Sequence, residues 1–73
     1  MNLHKAPLYI PLKISSLREG LFLDRLRQMG LTPGSVISVV RGSVLGGPIV
    51  VNLGTTLIGL RLEEAAYIQV TEI

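Results

Sequence analysis

Side chains able to do chemistry are scarce in this 73-residue chain. It has one histidine, His4, and no cysteine. Its carboxylates are Glu19, Asp24, Glu63, Glu64 and Glu72. A transition-metal site of nitrogen and oxygen ligands needs several such groups together, and catalysis needs a paired acid and base or an activated nucleophile. The composition therefore predicts no catalytic residue, no metal site and no cofactor site, with His4 able at most to pick up an adventitious metal ion.

The segment Gly46-Gly47-Pro48 is the candidate for a phosphate-binding loop. No lysine with a following serine or threonine comes after it, and no predicted helix begins behind it to direct N–H groups at an anion. The segment is therefore predicted to be a structural turn. Leu45, just before it, has no core to enter from the tip of a loop, which makes it a candidate partner contact.

Four arginines could mark a basic surface for RNA, DNA or an acidic partner: Arg25, Arg27, Arg41 and Arg61. The formal net charge is only +2, from seven Lys and Arg against five Asp and Glu. Small barrels often bind nucleic acid by stacking bases on aromatic side chains. Phe22 is assigned to the core face of a helix, so only Tyr9 and Tyr67 would be left for stacking. Solvated arginines are therefore favoured, with Arg61 and Glu64 spaced for a local ion pair.

Most of the chain follows the period of two that is typical of strands. Alternating apolar residues predict strands at residues 9–14, 35–41 and 49–53, a fourth after Gly54-Thr55 and a last one near the C-terminus. The strand residues predicted to face the core are Ile10, Leu12, Ile14, Ile37, Val39, Ile49, Val51, Leu53, Ile58, Leu60, Ile68 and Val70. Tyr67 falls in the outward set of the last strand. Pro11 lacks an N–H, so the first strand is predicted at an edge, or without a ladder bond at that point.

A helical period replaces the strand period between residues 22 and 29. Phe22, Leu26 and Met29 are spaced i, i+4, i+7, which predicts about two turns of amphipathic helix. Gly30 is predicted to end this helix in a left-handed conformation. The segment Pro33-Gly34 is typical of a type II turn, which would direct the chain into the next strand.

These elements predict a mainly β fold, a small SH3-like barrel of five strands with one inserted short α-helix and a helical turn at residues 62–66 before the last strand. Closing into a barrel would remove the exposed edges of so small a sheet. An OB-type barrel is the nearest alternative, although the strands are short for it. A chain of this length makes one domain, residues 1–73, of which residues 1–8 are predicted to be flexible.

A cytoplasmic location is expected. Pro7, Pro11 and Lys13 interrupt the apolar run that a signal peptide would need. No uninterrupted run of about 18 apolar residues is present to span a bilayer.

Three ordered blocks of sequence resemble the FeoA family. They are Arg25-Leu26 with Met29-Gly30-Leu31 and Pro33-Gly34, then Leu45-Gly46-Gly47-Pro48-Ile49, then Leu60-Arg61, Glu64-Ala65, Ile68 and Val70. The resemblance extends from about Tyr9 to the C-terminus. The sequence departs from the family pattern at Pro7-Leu8, Gly54 and Gly59. These departures affect the predicted start of the first strand and the predicted register of the hairpin at Gly54.

The resemblance implies an SH3-like fold and a small cytoplasmic accessory protein of bacterial ferrous iron uptake. It implies a partner, the membrane GTPase and ferrous iron permease called FeoB, with membrane association only through that partner. The protein would then act without catalysis of its own, and no nucleic-acid partner is expected. A nucleic-acid-binding or metal-repressor-associated small barrel is the alternative, because the carboxy-terminal domain of metal-dependent repressors looks similar.

Four apolar residues fall on the face of the predicted strands opposite the core: Val36, Val40, Val50 and Leu57. A solitary soluble barrel would normally show polar residues there. With Leu45 they form the predicted partner-binding residues, and self-association into a homo-oligomer is a second expectation. Coverage of this face by the helix and the helical turn is the structural alternative.

Overall fold

The computed structural model describes all 73 residues. Its helices and strands are, in chain order, β1 (Leu12–Leu17), α1 (Leu23–Gln28), β2 (Val36–Arg41), β3 (Ile49–Leu53), β4 (Thr56–Leu60), α2 (Leu62–Ala65) and β5 (Ile68–Glu72), preceded by a 3-10 turn at Leu3–Lys5. This is the predicted mainly β fold with one inserted helix and a helical turn before the last strand. Neither helix has the length and apolar character needed to cross a membrane.

The five strands form one antiparallel sheet in the order β4-β3-β2-β1-β5. The first strand is therefore central, and its prediction as an edge strand is wrong. Pro11 lies just before β1, so its missing N–H removes no bond from the ladder. No pairing joins β4 to β5. The expectation that closure removes the edges is thus wrong as well, because the sheet ends in two edge strands.

The N-terminal segment covers the β5 edge. The Met1 amino group donates to Val70 O at 2.8 Å, and Val70 N donates back to Met1 O at 2.8 Å. Asn2 Nδ2 donates to Ala66 O at 2.7 Å, and Leu3 is 1% exposed within the core. The structure therefore places residues 1–3 against the fold, whereas residues 1–8 were predicted to be flexible. The partners of this segment, the core and the free edge of β5, are distant from it in the sequence.

The chain enters β1 later than predicted. Tyr9 has a φ of 63° and an exposed side chain, and its N–H donates to Val39 O at 2.8 Å. This left-handed residue cannot continue a strand, so β1 begins at Leu12. Ile10 is half-buried and still packs against the core, as its position in the alternation predicted.

The inward residues of the predicted alternation form most of the core. Nine of them are buried: Leu12, Ile14, Ile37, Val39, Ile49, Val51, Leu60, Ile68 and Val70. Ile10, Leu53 and Ile58 are half-buried and pack against that core. Tyr67 was predicted to face outward, and that prediction is wrong: it is 7% exposed. It precedes β5, which starts at Ile68, so the strand alternation does not govern it.

Helix α1 ends as predicted. Leu31 N donates to Leu26 O and Gly30 N to Arg27 O, each at 3.0 Å, with Gly30 at a φ of 86°. These two bonds define a Schellman motif, and its apolar contact is made by Leu31 and Leu26, both fully buried. The following turn has Gly34 at a φ of 93° and a bond from Ser35 N to Thr32 O at 3.0 Å, as in a type II turn.

Candidate partner-binding surface

The outer face of β2, β3 and β4 carries four of the five predicted partner-binding residues. Val36 is 49% exposed and Leu57 is 66% exposed, while Val40 and Val50 are half-buried without packing against the core. Among the buried side chains of the two helices, Leu26 and Ala65 belong to the core cluster instead. The helices therefore do not cover Val36 and Leu57. This excludes, for these two residues, the alternative that the helix and the helical turn cover the outer face.

Strand register divides this outer face into two parts. Asn52 lies between Ser38 and Leu57 across the three strands, which makes a partly polar row. On one side of that row Val50 pairs with Gly59 of β4 and with Arg41 of β2, where a bulge at Val40 shifts the register. The structure thus brings Val40 and Val50 together, with Leu57 one row away.

Val36 lies on the other side of the polar row, in an open groove of about 420 Å³. Tyr9 and Pro11 line this groove together with Val36, Ser38 and Asn52. Tyr9 is 72% exposed, and its left-handed backbone directs an aromatic ring away from the core. The sequence analysis placed Tyr9 in a strand and did not include it in the surface. Its exposure follows from the backbone reversal before Pro11, which alternation does not reveal.

Leu45 occupies the tip of the loop between β2 and β3. Its side chain has no contact that reduces its exposure, and its φ is 52°, followed by Gly46 at 78°. Gly47 N donates to Val44 O at 3.0 Å, so Leu45 and Gly46 are the central residues of a turn with two positive φ angles, as in type I′. Gly, Asn and Asp are the residues that such positions favour, because at positive φ a Cβ atom comes close to the following carbonyl oxygen, and leucine has no polar side chain to offset this strain by a local hydrogen bond.

A second groove, of about 130 Å³, lies beside this loop tip. It is lined by Val44, Pro48 and Val50 with Arg41 and Gly47. Ser43 Oγ donates to Gly47 O at 2.7 Å and holds the loop together. Val44, Pro48 and Val50 give this groove an apolar lining, and Leu45 follows Val44 at the loop tip outside it. We call Val44, Leu45 and Val50 the loop surface. After Gly46-Gly47-Pro48 the chain enters strand β3 and not a helix, in agreement with the prediction of a structural turn.

Two of the four predicted arginines and two of the three aromatic rings have partners within the fold. Arg25 pairs with Glu64 at 2.6 Å and Arg27 with Asp24 at 3.8 Å. Phe22 and Tyr67 pack edge to face with ring centroids 5.4 Å apart, so neither ring is free to stack on a base. The predicted pair between the side chains of Arg61 and Glu64 is wrong. The Glu64 carboxylate accepts from the backbone N–H of Arg61 at 3.0 Å and from the side chain of Arg25.

No cluster of three or more potential metal ligands is present. His4 Nδ1 lies against Asn2 Oδ1, and the acidic residues are dispersed. The only buried acidic side chain is Glu64, and its two oxygens both have protein donors. The features that distinguish this molecule are therefore its exposed apolar residues.

The five-stranded antiparallel sheet with an inserted helix defines an SH3-like domain, the class to which a similar solved structure has been assigned. The sequence model of the FeoA domain matches residues 1–72. The chain belongs to the FeoA family, which is implicated in ferrous iron transport.

Several solved structures are similar over the whole domain. Iron(II) transport protein A from Clostridium thermocellum has 35% identity and a TM-score of 0.90, and the match covers 100% of this chain and 46% of that one. The FeoA protein of Chlorobium tepidum has 30% identity and a TM-score of 0.85, with 100% and 70% covered. Stenotrophomonas maltophilia FeoA has 30% identity and a TM-score of 0.83, with 97% and 89% covered.

The Stenotrophomonas protein was solved as a complex with zinc and described as a prokaryotic SH3 domain protein and a candidate ferrous iron transport activating factor. The present chain spans less than half the length of the Clostridium thermocellum protein. None of the curated proteins matches the chain at a significant level.

Proposed function

We propose that this protein is a regulatory accessory of bacterial ferrous iron uptake that binds the cytoplasmic part of a FeoB-type GTPase and permease. It carries out no catalysis itself. Membership of the FeoA family and the description of the Stenotrophomonas protein as a transport activating factor support this role. In this proposal the protein is cytoplasmic and reaches the membrane through its partner.

The observation that carries the proposal is the position of Leu45. A fully exposed leucine at a φ of 52° contributes nothing to the core and strains the backbone. Such a residue lowers the stability of the free protein, and burial in a partner would compensate for that loss. The loop surface, with the half-buried Val40 and the exposed Leu57, then provides an apolar area for docking.

Regulation follows if the loop surface binds one conformation of the permease more tightly than another. A bound protein can shift an equilibrium only by its difference in affinity for the two states. The GTPase part of the partner supplies a readout, because a shift between its conformations changes the rate of GTP hydrolysis.

The test is calorimetric titration of the protein into the purified cytoplasmic domain of the FeoB-type permease from the same organism. We expect saturable binding that Leu45→Asp weakens by at least about tenfold, because a buried leucine would be replaced with a charge. The matched control is Leu21→Asp, since Leu21 is 83% exposed and its N–H donates to Tyr67 Oη, whereas Leu45 lies in the loop between β2 and β3. Absence of binding both to this domain and to the full-length permease would refute the proposal, and equal effects of the two variants would remove Leu45 from the contact.

A further inference from the structure

Strand β4 is an edge strand whose outer side has no partner. It pairs with β3 over its whole length, from Thr56 opposite Leu53 to Leu60 opposite Ile49. No backbone hydrogen bond outside the helices and the sheet involves any of residues 54–60. The backbone groups on the outer side of β4 are therefore left to solvent, whereas the N-terminal segment covers the other edge of the sheet at Val70.

The residues of β4 also lack the features that block edge pairing. Natural edge strands carry lysine, proline, inward charges or a bulge to prevent association. The segment Thr56–Leu60 has none of these, and its ladder with β3 runs without a register shift. An unprotected edge of this kind is a ready template for another strand.

We propose that β4 pairs antiparallel with β4 of a second copy of this chain, centred on Ile58, to form a symmetric dimer. In this register Leu57 lies opposite the partner's Gly59, and both residues are on the outer face of the sheet. Leu57 is 66% exposed, and a Cβ atom at Gly59 would meet no atom within 4 Å. The leucine of each copy therefore enters the empty position above the glycine of the other.

The second copy is favoured over a foreign strand because one strand supplies both complementary features. Leu57 and Gly59 are two residues apart, so a two-fold axis at Ile58 satisfies both contacts at once. The strand carries no charge, so no like charges meet. On β3, Val50 pairs with Gly59, and the partner's Leu57 would extend over Val50 and shield this half-buried side chain.

The contact is small, since each copy contributes one strand of five residues. Stable interfaces usually bury about 800 Å² per partner, and a contact below this size gives weak association. We therefore expect a dimer that dissociates at micromolar concentration. This inference is tested on the chain alone, so its failure and the failure of the permease proposal are distinguishable.

Sedimentation velocity from about 10 μM to about 1 mM measures the monomer–dimer equilibrium. We expect Leu57→Lys to raise the dimer dissociation constant at least about tenfold, because the lysine charge would be placed at the edge. Gly59→Val should have a similar effect by filling the position that Leu57 enters. Leu21→Lys is the control, because Leu21 is 83% exposed and its N–H donates to Tyr67 Oη just before β5, the strand at the other end of the sheet order from β4. Thermal unfolding should show all three variants folded.

NMR on a mixture of isotope-labelled and unlabelled protein identifies the pairing itself. We expect intermolecular contacts between the Leu57 methyl groups and Gly59 Hα, and slower amide exchange in β4 as concentration rises. A chain that stays monomeric to about 1 mM would overturn the proposal. A dimer that both variants leave intact, or that shows no added protection in β4, would also overturn it.

Discussion

Arg25 Nε donates to Glu64 Oε2 at 2.6 Å, and this ion pair joins α1 to α2. The Glu64 side chain is 2% exposed, whereas that of Arg25 is 61% exposed. The other carboxylate oxygen accepts from Arg61 N at 3.0 Å, so each oxygen of the buried group has a donor. Glu64 depends on this ion pair more than Arg25 does. Without Glu64, the Arg25 side chain can be hydrated, but the Glu64 carboxylate has no access to water.

We expect Arg25→Met to lower the free energy of unfolding by about 2 kcal/mol, because one oxygen of a buried carboxylate loses its donor. Glu64→Gln should cost less, about 1 kcal/mol, since the amide oxygen can still accept from Arg61 N. Urea unfolding followed by circular dichroism measures both values. Arg27→Met is the matched control, since its pair with Asp24 at 3.8 Å is exposed and should change stability by less than about 0.5 kcal/mol. Equal losses for Arg25→Met and Arg27→Met would contradict this assignment.

Gly20 is required by its contact with Tyr67. Its φ is 144°, and a Cβ atom added there would lie 2.6 Å from Tyr67 Oη, which accepts from Leu21 N at 3.1 Å. We expect Gly20→Ala to lower the free energy of unfolding by about 2–3 kcal/mol, because it combines backbone strain with displacement of a buried ring.

The control for Gly20→Ala is Gly59→Ala, since a Cβ atom at Gly59 meets open space. It should change stability by less than about 0.5 kcal/mol. Adding Tyr67→Phe to Gly20→Ala should recover part of the loss, because the nearest clashing atom is removed. A Gly20→Ala variant as stable as the parent protein would show that the segment before α1 can rearrange freely.

Local sterics explain which parts of the fold were predictable. The Schellman end at Gly30 and the turn at Pro33-Gly34 depend on neighbouring residues, and both formed as predicted. The burial of Tyr67 and the position of the N-terminal segment depend on residues more than forty positions away, since Tyr67 Oη accepts from Leu21 N and the Met1 amino group donates to Val70 O. No alternation or spacing encodes such contacts.

The sequence predicted which residues of the candidate surface point outward, but it did not predict how those residues are arranged relative to one another. Alternation placed Val36 and Leu57 outward, and the structure leaves both exposed. Their separation by Asn52 depends on cross-strand register, and the bulge at Val40 depends on how β2 meets β3. Neither property is visible in one strand alone.

The N-terminal segment should be part of the folded unit. Leu3 is 1% exposed in the core cluster, and we expect Leu3→Ala to lower the free energy of unfolding by about 2–4 kcal/mol. The same replacement at Leu21, which is 83% exposed, should cost less than about 0.5 kcal/mol. Amide exchange gives a second measurement, because Val70 N is bonded to Met1 O at 2.8 Å and should be protected. A flexible segment would instead show rapid exchange at Val70 and similar stabilities for the two variants.

The strain at Leu45 predicts opposite effects on stability and binding. Asparagine tolerates a φ of 52° better than leucine, so Leu45→Asn should raise the free energy of unfolding by about 0.5–1 kcal/mol. Leu57→Asn is the matched control, because Leu57 is exposed in a strand without a positive φ and should gain no stability. Titration with the permease domain should show weaker binding for Leu45→Asn despite its greater stability. If Leu45→Asn stabilises the protein and binds as tightly as the parent, the strained leucine serves no docking role, and the loop surface loses its most exposed apolar residue.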